Sequence, residues 1–310
     1  MTKKKKSNRI PVVVVSLAFV GLAWTNLFDF DVKLKGNVAS KLGLGPSPTA
    51  TPTPELTAQG LSAVVVPDSG YTVNIKWGDT GKKLVEAGGI DMAKYEKNYN
   101  KPEFKDLLTY LTDDKSEGIT ITKENAYFWV NTLWALGLTQ QSEVLDEGVM
   151  GTEHKDRVGN FASTGGWTLG AKDAVSLYSS ADIIPLTPEQ HALVHKISKG
   201  IYRPCCGNPT SFPDCNHGMA ILGLIELMVC QGYSEDEVYD AALAFNSYWF
   251  GQTYVDLAYY FQTEKGVTWS EVDAKEVLSA EYSSAQGYAT IKDKIGNIPG
   301  SEQVGASCGA

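Results

Sequence analysis

Beyond Trp77, apolar residues recur three and four positions apart, and the stretches that carry this period predict helices at residues 82–86, 91–99, 102–111, 123–136, 171–178, 235–250, 254–262 and 274–278. Ser234, with Glu237 three residues on, has the pattern of a capping box and is the clearest start signal. Ahead of the helical region, residues 61–66 and 71–77 are rich in β-branched side chains and flank Pro67-Asp68-Ser69-Gly70, which predicts a short β-hairpin. No period longer than a helical turn repeats. The fold class expected from this pattern is mainly α: a single helical domain over residues 63–295, with the hairpin near its start and a flexible Gly/Ser-rich tail at 296–310.

The N-terminal pattern is different in kind. Residues 10–28 contain no charge, and at 1.5 Å rise per residue a helix of that length just spans a hydrocarbon core. Lys3, Lys4, Lys5, Lys6 and Arg9 precede it, so residues 1–9 are expected to stay in the cytoplasm and the bulk of the chain to lie outside. A cleaved signal peptide would want an A-x-A site and a lipoprotein a cysteine after the run; neither is present, so an uncleaved transmembrane signal anchor in a bacterial cell membrane is the expectation. Residues 29–62 follow as a stalk, with Pro and Thr alternating through 46–54, a composition that cannot bury apolar surface.

Charge narrows the partners. The 310 residues carry a net charge of −9, but without the five basic residues of the tail the rest has 22 basic against 36 acidic side chains. That balance argues against nucleic acid, which requires a basic footprint. The membrane is the one partner expected, and the sequence names no protein partner.

Candidate chemistry is concentrated in residues 186–232, which hold four of the five cysteines and three of the four histidines. Thr187, Pro188 and Gln190 predict a capped helix start, and the helix is expected to run to about residue 200, with Arg203-Pro204 as the stop. His191 and His195 lie four apart on one face of it. A loop bearing Cys205, Cys206 and Cys215 follows, and Asn216 is expected to cap a second, strongly apolar helix that begins at His217 and closes at Gly232. Copper(I) or zinc accepts thiolate and imidazole together. Cys205, Cys206, Cys215 and His217 are therefore candidate ligands, with His191 or His195 completing the shell. Met219 offers a thioether, and Asp214 and Glu189 are the nearest carboxylates.

Two other readings use the same residues. A thiol at a helix N-terminus, as expected for Cys215, or near an arginine, as Arg203 could be to Cys205, has a lowered pKa and suits disulfide exchange outside the cell. A disulfide from Cys205 or Cys206 to Cys215 would simply pin the loop. Cys230 reads as a packed small apolar residue, Cys308 has no evident partner, and His154 reads as a solvated side chain. Trp129, Trp134 and the Tyr248-Trp249-Phe250 run read as core packing. Gly78 to Lys83 lacks the phosphate-loop spacing, and Ser163 has no base nearby in sequence to make it a nucleophile.

Tyr202-Arg203-Pro204-Cys205-Cys206-Gly207, then Asp214-Cys215-x-His217-Gly218, then Gly232-x-Ser234 and an acidic helix together resemble the core of exported bacterial proteins named for a PCYCGC motif. The resemblance covers residues 202–248, and the chain departs from the motif in placing Cys206 directly after Cys205 and in lacking the third close cysteine. It implies export and a cysteine-centred site between Pro204 and His217, and assigns no reaction.

Overall fold

The computed structural model describes residues 56–301. The basic tail, the expected anchor, most of the stalk and Cys308 lie outside these residues. Among the described residues no helix is long and apolar enough to cross a membrane.

The described chain is mainly helical. Helices of about two turns or more are α1 (Ala58–Val65), α2 (Thr80–Ala87), α3 (Met92–Asn98), α4 (Lys105–Thr112), α5 (Ala126–Thr139), α6 (Pro188–Gly200), α7 (Asn216–Cys230), α8 (Glu235–Trp249), α9 (Gly251–Tyr260) and α10 (Ala285–Ile295). Two three-residue strands, β1 (Tyr71–Val73) and β2 (Ile119–Ile121), form a small antiparallel sheet in which Thr72 faces Thr120.

The expected hairpin does not form. Its first half is α1: the Thr57 hydroxyl caps it by accepting from the Gly60 amide, and Leu61 and Val65, one turn apart, put their apolar side chains into the core. The β-branched run at 64–66 looked like a strand, but the four-residue spacing of buried positions is that of a helix packed on α9. The strand at Tyr71 pairs instead with Ile121, and Thr72 and Thr120 join hydroxyls at 2.8 Å. The domain also reaches beyond the bounds expected for it at both ends. Residues 58–62, assigned to the stalk, are helical, and Ile298, assigned to the tail, is buried while Pro299 accepts from the Ala58 amide at 2.8 Å.

The centre of the fold is the pair α5 and α7, apolar on all sides and almost wholly buried. They approach closely because each carries a glycine at the crossing: a Cβ on Gly137 would lie 2.0 Å from the Met219 carbonyl oxygen. Trp129 and Trp134 are core residues, as the sequence implied, with Trp129 edge-on to Trp77 and Trp134 edge-on to Trp167. Helix α6 packs on α7 and runs antiparallel to it, since Gln190 near the start of α6 donates to the Val229 and Cys230 carbonyls at the end of α7. The capping box at Thr187 and Gln190 forms as expected. This antiparallel register brings the end of α6 and the start of α7 together, and residues 201–215 bridge them.

Candidate metal centre

The bridging loop is held by its backbone from several directions. Thr210 closes it on Ile201 through both its amide and its hydroxyl, Ser211 donates to the Ser198 carbonyl, and the Cys206 carbonyl accepts from Ala285 of α10. The Asp214 carbonyl accepts from the Ser163 amide. Ser163 is itself wholly buried, a packing residue rather than a nucleophile.

Arg203 organises the interior of the loop. Its side chain is fully buried. Nε donates to Cys215 Sγ at 3.1 Å, Nη1 to the Asn208 carbonyl at 2.9 Å, and Nη2 to Asp214 Oδ1 at 2.6 Å and the Phe212 carbonyl at 3.3 Å. Asn208 in turn donates to Asp214 Oδ2 at 2.9 Å. The guanidinium fits because residue 218 is glycine: a Cβ there would sit 2.4 Å from the central guanidinium carbon.

Cys215, rather than Asn216, is the N-cap of α7, and its sulfur accepts from the Gly218 amide at 3.4 Å. Proton-sharing from the Cys205 and Cys206 thiols, followed by the charge of Arg203, holds the Cys215 thiol well below its ordinary range despite burial. Helix end and buried arginine thus act on the same sulfur. Cys205 is not the thiol that Arg203 activates. Hydrogen bonding to the neighbouring thiols of Cys206 and Cys215 raises it, so of the two Cys205 holds its proton more tightly than Cys215.

Two sets of donor atoms result, each lying within 4.8 Å of one another: Cys205, Cys215 and His217 in one, Cys206, Asp214 and Cys215 in the other. Cys205 and Cys215 have their sulfurs 3.3 Å apart and unbonded, against about 2.05 Å in a disulfide. His217, in the first turn of α7, has its ring against Phe250 and Trp249, with centroids 4.4 and 5.6 Å away. Its Nδ1 is buried with no hydrogen-bond partner. A Cys/His group able to hold a metal ion is therefore present.

The other sequence candidates fall elsewhere. His191 and His195 belong to neither donor set, although both lie on α6 as expected. Met219 is fully buried in the core, because two residues along a helix turn a side chain through about 200° from His217. Glu189 is exposed at the start of α6, the end remote from Cys205, Cys206 and Cys215. Cys230 is partly buried and its thiol meets the Pro185 carbonyl. Changing His191 and His195 together to Ala should leave metal affinity at the cysteine cluster within about twofold of the parent, since direct ligand bonds reach only about 2.0–2.3 Å. A tenfold loss in a chelator-competition titration would bring them back into the site.

Three side chains beside the cluster and its loop carry no sign of that placement in the sequence. Trp249 and Phe250 pack against the core, as the sequence implies, and from its margin they also clamp the imidazole of His217. His154 is not merely solvated: with Phe161 it packs around Phe212 of the loop, and its Nδ1 meets Arg157 at 2.9 Å. No sequence signal links these residues to the loop. No family model, curated protein or solved structure matches this chain, so the site stands on its own geometry.

Proposed function

We propose that this protein binds a soft or borderline metal ion, copper or zinc, through Cys205, Cys215 and His217, with Cys206 beside them, in a domain carried outside a bacterial membrane by an N-terminal anchor. The observation that carries the reading is geometric: the sulfur of Cys215 lies 3.3 Å from that of Cys205 and within 4.8 Å of an imidazole nitrogen of His217, and the neighbouring thiols and Arg203 lower its pKa. A thiophilic ion takes the place of the protons shared among such thiols and releases them to solvent on binding, so affinity should fall as pH falls. Disulfide exchange is served less well by this arrangement: the thiol whose pKa is lowered, Cys215, is the one enclosed by Arg203 and the start of α7, while that of Cys205 is raised. The lysine run, the uncharged stretch at 10–28 and the resemblance around Cys205 support the location.

The test is elemental analysis and a thiol count on the purified full-length chain. Copper or zinc should co-purify, thiol reagents should reach Cys205 and Cys215 only after a chelator is added, and Cys215→Ser should lose the metal. Metal-free protein that takes up neither ion on reconstitution, or that is isolated with Cys205 and Cys215 joined, would sink the proposal.

A further inference from the structure

The two donor sets have a stoichiometric consequence. With metal–sulfur bonds of about 2.3 Å and metal–nitrogen or metal–oxygen bonds of about 2.0–2.2 Å, two ligands of one ion cannot be more than about 4.6 Å apart, and in a tetrahedral shell they are about 3.8 Å apart. The donors of each triple lie within 4.8 Å of one another, so a small side-chain shift closes them on an ion, but no set unites Cys206 with Cys205 and His217. Cys205 and Cys206 influence each other as thiols but fall in different sets, Cys205 with His217 and Cys206 with Asp214. Cys215 alone belongs to both sets.

We infer that the site is binuclear: one ion on Cys205 and His217, a second on Cys206 and Asp214, and the sulfur of Cys215 bridging the two. The inference rests on the proposed metal-binding function and deepens it by naming the ion. A carboxylate oxygen in the second set is a hard donor, which suits zinc and not copper(I). Charge permits this: three thiolates and one carboxylate offset two divalent ions and leave only the single positive charge of Arg203, with the thiol protons released to solvent on binding. Asp214 is already oriented for the task. Arg203 holds Oδ1 and Asn208 holds Oδ2, and each oxygen keeps a lone pair for an ion, the arrangement of a carboxylate ligand braced by its outer partners. Each ion has three protein donors, which leaves a fourth position for water or an incoming group.

The experiment is an anaerobic titration of the full-length reduced protein, in detergent, with Zn²⁺ against a chromophoric chelator, and in parallel with copper(I). Two equivalents of zinc are expected. Cys206→Ser should retain one, and Cys215→Ser should lose both, with circular dichroism showing that each variant keeps its helices. In the cobalt(II)-substituted protein, spin coupling through the shared sulfur should quench the paramagnetic resonance signal at two equivalents and restore it in Cys206→Ser. One equivalent of zinc, or of copper(I) alone, would overturn the binuclear site and leave the proposed function standing. Binding of neither ion would overturn both. Two equivalents in Cys206→Ser would overturn the assignment of the second ion.

Discussion

Glu226→Gln should make the protein more stable at pH 9 by about 5 kcal/mol and flatten the alkaline side of its stability profile. Glu226 lies in the middle of α7, wholly buried, and neither carboxyl oxygen has a hydrogen-bond partner. Burial pushes its pKa from the ordinary 4.5 up to about 8, offset in part by the Ser142 hydroxyl, which lies close without the geometry of a hydrogen bond. Below about pH 4.5 the carboxyl is neutral folded or unfolded, and the folded state pays nothing for it. As pH rises from there, the unfolded chain releases the proton while the folded chain retains it, so stability falls by about 1.4 kcal/mol per pH unit until the folded carboxyl ionises near pH 8. The loss then levels off at about 5 kcal/mol. Glutamine keeps the shape and cannot ionise. Urea denaturation at pH 5, 7 and 9 should therefore show the variant gaining on the parent at each step, and parallel profiles would mean that the carboxyl finds a partner or water. The cluster at the N-terminus of α7 lies more than two turns from Glu226, so metal binding should survive the change.

Arg203→Ala should act at the site and on the fold together. The substitution empties a fully buried position and withdraws hydrogen bonds from Asn208, Phe212, Asp214 and Cys215 at once. Removing one partner of such a pair strands the other, here the Asp214 carboxylate and the Cys215 thiolate, at a cost of about 3 kcal/mol or more. The thiol of Cys215 should also rise, which the pH dependence of thiolate absorbance and of alkylation in the metal-free protein would record. Arg203→Lys separates the two effects: it keeps the charge but loses the planar fork that meets four acceptors, so it should preserve more of the thiol shift than of the stability. If the alanine variant melts with the parent and its thiols titrate unchanged, Arg203 is not the residue that holds the cluster.

Local signals in the sequence were enough for α6, α7 and α8. Thr187 with Gln190, Ser234 with Glu237 and the apolar run after Cys215 state their helices within a turn, because capping and hydrophobic period are properties of neighbouring residues. The crowding of Cys205, Cys206, Cys215 and His217 was visible for the same reason, all four lying within 13 positions. What the tertiary structure decided depends on contacts between residues far apart in the chain. The strand at Tyr71 chose Ile121 over the run at 61–66, since those residues bury more as the helix that meets α9. Arg203 turned toward Cys215 and not its neighbour Cys205, because the antiparallel packing of α6 on α7 and the bare Cα of Gly218 open a place for the guanidinium beside the helix cap. That packing also divides the donors, leaving His191 and His195 out of both sets and making Cys215 their common member. Spacing along a chain tells which side chains share a helix face; which sulfurs and nitrogens can reach one ion is decided only when the helices pack.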